Sequence, residues 1–121
     1  AQERFYPTRR CGSSMVKESN MTPEAKVKDR VKKVLKDIGA YYAMPVTGGY
    51  GVSGIPDFLV CYNGLFVGLE CKAGKGKTTA LQEKALLDIR KAGGASYVIN
   101  EANISILEDL LNGTAESKQP I

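Results

Sequence analysis

Asn63-Gly64 stands between two apolar runs that read as strands, PDFLVCY (56–62) and LFVGLECK (65–72). This dipeptide in such a setting is the strongest short-range signal for a two-residue β-hairpin turn. The turn fixes the register: Tyr62 opposes Leu65, and five steps outward Asp57 opposes Glu70. Directly opposed residues share a face, their Cβ atoms about 4.5–5.5 Å apart, and like charges so placed are destabilising. Strand side chains alternate, so Lys72 joins Glu70 on that face while Leu69 and Cys71 point the other way. An otherwise apolar hairpin thus gathers two carboxylates and an ammonium.

Two carboxylates this close push one pKa upward unless a cation sits between them. A divalent ion resolves the conflict, and hard oxygen ligands favour Mg²⁺ or Mn²⁺ over Zn²⁺. Such an ion would polarise a phosphoryl oxygen and acidify a water, with Lys72 orienting that water or balancing developing charge. The plainer alternative is that Lys72 neutralises an Asp/Glu pair on a solvated sheet face.

The 121-residue chain, 43% hydrophobic, suits one domain with one core. It has no histidine, and its three cysteines, Cys11, Cys61 and Cys71, form no CxxC pair. Ser-His-Asp hydrolases, HExxH metalloproteases, papain-like proteases and nucleases with a histidine base are therefore excluded. The odd cysteine count reads as reduced thiols in a cytoplasmic protein. No apolar run approaches the roughly 20 residues that span a bilayer, and none reads as a signal peptide. Lys and Arg total 17 against 13 Asp and Glu, a net charge of +4, which permits an anionic partner without requiring one.

Residues 1–20 lack periodicity and read as a flexible arm outside the domain proper. Thr22 and Pro23 mark the cap and first position of a helix that Gly39 closes, with Val27, Val31, Val34, Leu35 and Ile38 as its apolar stripe. AYYAMPV (40–46) reads as a strand and TGGYGVSG (47–54) as a mobile loop. After the hairpin come a basic loop, AGKGKTT (73–79), a helix over 79–92 ending at Gly93-Gly94, a strand at SYVI (96–99), and a helix over about 101–112 ended by Gly113. The domain is expected over 21–113, with 114–121 a frayed tail. The order α, β, β, β, α, β, α describes an α/β fold with a mixed central sheet flanked by helices.

Glu24 falls inside the apolar stripe of the first helix. A carboxylate there either joins the metal site or is a first-turn acid favoured by the helix dipole. Gln82 lies in the stripe of its own helix with Ala85, Leu86 and Ile89, where an amide needs polar company that the sheet face could supply.

In this order, Glu24, Gly54-Ile55-Pro56-Asp57, Glu70-Cys71-Lys72 and Gln82 resemble the PD-(D/E)XK nuclease superfamily, and most closely its VRR-NUC (virus-type replication-repair nuclease) family. The resemblance spans about 22–106. It implies an αβββαβ restriction-endonuclease-like core with a C-terminal helix, and Mg²⁺-dependent phosphodiester hydrolysis leaving a 5′-phosphate and a 3′-hydroxyl. By match, Asp57 and Glu70 are metal ligands, helped by the backbone carbonyl of Cys71, and Lys72 is the catalytic lysine. Glu24 and Gln82 take supporting places around the metal, its waters or the DNA. Small stand-alone members resemble Holliday-junction resolvases, which implies branched DNA as substrate and a homodimer, since two symmetric sites suit two symmetric nicks.

Lys28 and Lys32, nearest the stripe of the first helix, are candidate phosphate contacts, with Lys75 and Lys77 in the basic loop. Ser53 and Tyr50 join them from the glycine-rich loop, Tyr50 as a stacking residue; Gly48, Gly49, Gly51 and Gly54 would let that loop approach a strand. Leu87, off the main stripe of its helix, marks a possible dimer contact. Other readings stay open. Gly76-Lys77-Thr78 follows a strand and opens a helix as in a phosphate-binding loop, but that motif needs glycine where Cys71 stands. A non-catalytic nucleic-acid-binding module on the same fold and a duplex-cleaving restriction-type nuclease are the remaining alternatives.

Overall fold

The computed structural model describes residues 21–46 and 53–117. The arm 1–20, the segment 47–52 with Gly48, Gly49, Tyr50 and Gly51, and residues 118–121 lie outside the described residues.

Helix α1 spans Pro23–Asp37, with the Thr22 hydroxyl accepting from the Ala25 amide at 3.1 Å. It ends where Ala40 N–H donates to Leu35 and Gly39 N–H to Lys36, the paired bonds of a Schellman motif. Strand β1 is Tyr41–Ala43, β2 Phe58–Tyr62 and β3 Leu65–Cys71. Helix α2, Ala80–Lys91, crosses over to β4, Ala95–Ile99. A single 3₁₀ turn, Ile104–Ile106, precedes α3, Leu107–Ser117.

The four strands lie in chain order; β1, β2 and β3 are antiparallel, and β4 runs parallel to β3. Asn63 and Gly64 both have positive φ, 53° and 80°, which is the type I′ turn that the dipeptide specifies. The register follows from it, Tyr62 opposite Leu65 and Phe58 opposite Leu69.

Alternation divides the sheet into two faces. Phe58, Val60, Leu65, Val67, Leu69 and Ile99 point into the main core, where they meet Val27, Val31 and Leu35 of α1 and Leu107 and Leu111 of α3. Helix α2 covers the β3–β4 half of the other face. There Ser96 Oγ donates to the Leu86 carbonyl at 2.9 Å, and a Cβ on Gly68 would lie 2.5 Å from Ile89 Cδ1.

Expected boundaries differ in several places, among them the start of β2, at Phe58 rather than Pro56. The strand expected over 40–46 is only three residues long. The last helix starts later than expected and runs through Gly113 to Ser117. Thr114 accounts for part of this: its hydroxyl donates to the Leu110 carbonyl and pairs with Tyr97 of β4, so tertiary contacts hold a turn that glycine alone would weaken.

At Gly54 the chain comes close against the backbone of α2. Its φ is +81°, and a Cβ there would lie 2.6 Å from the carbonyl carbon and oxygen of Leu81. Gly64, also at positive φ, has open space around it. Gly54→Ala is therefore expected to cost at least about 2 kcal/mol in urea unfolding, against about 1 kcal/mol for Gly64→Ala, because only the first adds a backbone clash to the strain of positive φ.

Candidate active site

The site lies at the end of the sheet where β2 begins and β3 ends. Glu70, the penultimate residue of β3, is 2% exposed. Its Oε2 accepts from Gln82 Nε2 at 2.9 Å and lies 3.7 Å from Lys72 Nζ. Its Oε1 is buried and has no hydrogen-bond partner among the described residues. A buried carboxylate oxygen left in that state is costly, and native structures leave few of them unexplained.

Asp57 does not complete a ladder pair with Glu70 as the hairpin arithmetic implies. The chain bends at Asp57, and the ladder closes at Phe58 opposite Leu69. The bend turns the Asp57 carboxylate onto the end of β3, where Oδ2 accepts from the Cys71 amide at 2.9 Å. The two acids still act on each other. The Glu70 pKa is pushed up from 4.5 to about 7, first by burial and then by the Asp57 charge, with Lys72 opposing.

Gln82 has two tasks. Its Oε1 accepts from the Thr79 amide at 2.9 Å while the Thr79 hydroxyl accepts from the Gln82 amide at 3.2 Å, a reciprocal capping box. Its Nε2 is thereby aimed at Glu70. The polar company required by the Gln82 position is therefore one buried carboxylate.

Lys28 differs most from expectation. Its ammonium stands 3.6 Å from Asp57 Oδ1 and 3.5 Å from Glu24 Oε2. Burial works against its charge, but Asp57 and then Glu24 outweigh it and the ammonium pKa is raised. Lys28 is thus part of the acidic cluster, and Glu24 reaches the cluster through it. The signal was present in the sequence: Glu24 and Lys28 are four apart, hence on one helix face.

Among the other candidates, Lys75, Lys77 and Ser53 are exposed on flanking loops, and no contact ties Lys32 to the site. Cys71 brings its amide to the site, while its thiol faces the core and is pushed up to about 12, first by burial and then by the Asp57 and Glu70 charges. Glu101 is a residue that sequence reasoning missed. Both its oxygens accept from the Gly74 amide, at 2.9 and 3.2 Å, which pins the loop after β3 two residues beyond Lys72 and holds the carboxyl below its ordinary range. No local motif in the sequence signals this contact. Glu101, Gly74, Thr22, Glu24 and Lys28 line a groove of about 780 Å³ beside the acids.

No family model matches the sequence, and no curated protein matches it. Among solved structures, a chain described as a VRR_NUC domain superimposes with a TM-score of 0.59 at 22% identity, covering 82% of this chain and 100% of that one. This chain has the VRR_NUC fold. The mixed four-stranded sheet with flanking helices and a C-terminal helix is the architecture that the motif resemblance implies. Within that fold Asp57, Glu70, Lys72 and Gln82 converge, with Glu24 held at the margin by Lys28. Among the described residues, no three His, Cys, Asp or Glu side chains form a ready-made metal cage, and no helix is long and apolar enough to cross a membrane.

The raised Glu70 pKa makes stability depend on pH in metal-free protein. Between 4.5 and about 7 the folded state holds a proton that the unfolded state has lost. The stabilisation is complete below 4.5 and disappears as pH rises through about 7. In EDTA, wild-type unfolding free energy should fall across this window by up to about 3 kcal/mol, whereas Glu70→Gln should lose most of that slope; urea titrations at several pH values measure both.

Proposed function

We propose that the chain is a metal-dependent DNA endonuclease that hydrolyses phosphodiester bonds, with branched DNA such as Holliday junctions as its preferred substrate, acting in replication, recombination or repair. The observation that carries this reading is Glu70, a buried carboxylate with one unpartnered oxygen, set against Asp57 and within reach of Lys72. Buried charges are normally paired or bound to metal.

The donors fit a hard cation. Asp57, Glu70 and the Cys71 carbonyl would hold Mg²⁺, with Mn²⁺ able to substitute. When bound, the ion would supply Lewis-acid polarisation of a phosphoryl oxygen and an acidified water. The remaining work belongs to the chain itself. Gln82 fixes the Glu70 carboxylate through a hydrogen bond anchored in the α2 cap. Lys72, its side chain 15% exposed, is placed to orient a water and offset charge growing on the phosphate. Glu24 is open enough to meet a water at the groove. Lys75, Lys77 and Ser53 flank the site as backbone contacts for DNA. A homodimer would present two such sites to a symmetric junction, and the exposed Leu87 belongs to the surface available for it.

One observation favours a second reading. Lys28 already balances Asp57, so the site could serve a nucleic-acid-binding module that does not cut. A labelled four-way junction and a linear duplex of the same sequence, incubated with Mg²⁺ or EDTA, separate the two. Wild type should place paired, Mg²⁺-dependent nicks in the junction, with 5′-phosphate and 3′-hydroxyl ends. Lys72→Ala should slow cleavage at least about 100-fold with little change in junction binding. Binding of the junction by wild type without any cleavage would replace the nuclease reading with the binding module.

A further inference from the structure

Four groups contact the two acids, and they differ in how firmly they are held. Asp57 Oδ2 accepts from the Cys71 amide at 2.9 Å, and Glu70 Oε2 accepts from Gln82 at 2.9 Å. Both are hydrogen bonds of ordinary length, and both donors are fixed, one by the β3 backbone and the other by the α2 capping box. Lys28 is different. Its ammonium is 3.6 Å from Asp57 and 3.5 Å from Glu24, too far for a charge-assisted hydrogen bond to either. It is held by long ion pairs to two acids, on a flexible stem one-third exposed to solvent. Lys72 is more buried and pairs with Glu70 Oε2, which leaves Oε1 as the unpartnered oxygen.

The geometry points to Lys28 as a built-in competitor for the cation: its ammonium pairs with Oδ1 of Asp57, the oxygen that the Cys71 amide leaves free, and would have to give way to a divalent ion held there. This rests on the metal-dependent reading of the site above. Displacement needs no change in the fold, because the fixed donors keep their bonds and Glu24, four residues earlier on the same helix, retains the ammonium as it moves toward the groove. Metal affinity is therefore set partly by a positive charge on α1. Removing that charge should tighten metal binding even though it takes away a residue of the site, the opposite of what a supporting ligand or a merely structural lysine would do.

Calorimetric titration with Mn²⁺ tests this on wild type, Lys28→Met, Lys28→Arg and, as a charge control on the exposed side of α1, Lys33→Met. Lys28→Met should bind Mn²⁺ roughly fivefold tighter than wild type, the upper end of what a solvent-exposed ion pair contributes, with Lys28→Arg and Lys33→Met close to wild type. A second measurement needs no variant: the side-chain ¹⁵N resonance of Lys28 in wild type should move in step with Mg²⁺ occupancy. Equal or weaker Mn²⁺ binding by folded Lys28→Met, or a Lys28 resonance that stays fixed while Mg²⁺ saturates the protein, overturns the competitor role and leaves the nuclease reading standing. Failure of wild type to bind either ion overturns both.

Discussion

The rest of the site depends on the burial of one charged group at the end of a strand. Glu70 sits where β3 leaves the sheet, with its side chain on the face covered by α2. A carboxylate in that place is stable only if its surroundings return what water would have given. Gln82 supplies a hydrogen bond and Lys72 a charge, while Asp57 acts against both. A cheaper core would place an aliphatic residue here. The polar arrangement has a structural cost, and the cost concentrates on one oxygen, Oε1, buried without a hydrogen-bond partner among the described residues.

That arrangement is rigid because the same atoms build the fold. The Gln82 amide closes the capping box of α2 with one end and holds Glu70 with the other, so the start of the helix and the orientation of the acid are a single feature. Gly54 lets the chain before Asp57 pack against Leu81 and Gln82, the same first turn. Asp57 in turn binds the Cys71 amide, which clamps the start of β2 to the end of β3 beyond the last ladder pair. A substitution at any of these positions would disturb folding and site geometry together, and activity by itself would be a poor guide to role.

Much of this was legible in the sequence because the strongest local signal also sets the long-range geometry. Asn63-Gly64 fixes the turn, the turn fixes the register, and the register brings Asp57 toward Glu70. What the pattern could not supply was the bend at Asp57, since alternation assumes a strand that continues. Lys28 was read by its position beside the apolar stripe; its partner Asp57 belongs to another element, and periodicity within one helix says nothing of that. The contact of Glu101 with Gly74 joins two loops and has no periodic signature at all. Gly113 reads as a helix stop by propensity, but the pairing of Thr114 with Tyr97 carries the helix past it.

The charges around the site explain why it should be poised between two states. Glu24, Asp57 and Glu70 bring three negative charges, and Lys28 and Lys72 return two positive ones. One negative charge remains unbalanced among these five side chains. Because Glu70 is the most buried of the acids, the imbalance appears there, as a carboxyl whose pKa is pushed up to about 7. A proton satisfies the deficit with one positive charge. A divalent cation would exceed it by one and leave the site with a net positive charge, a favourable field for a phosphate diester. The two lysines thus keep the acids nearly neutral, and of the two Lys28 is the more exposed, 32% against 15% for Lys72, and so the freer to move.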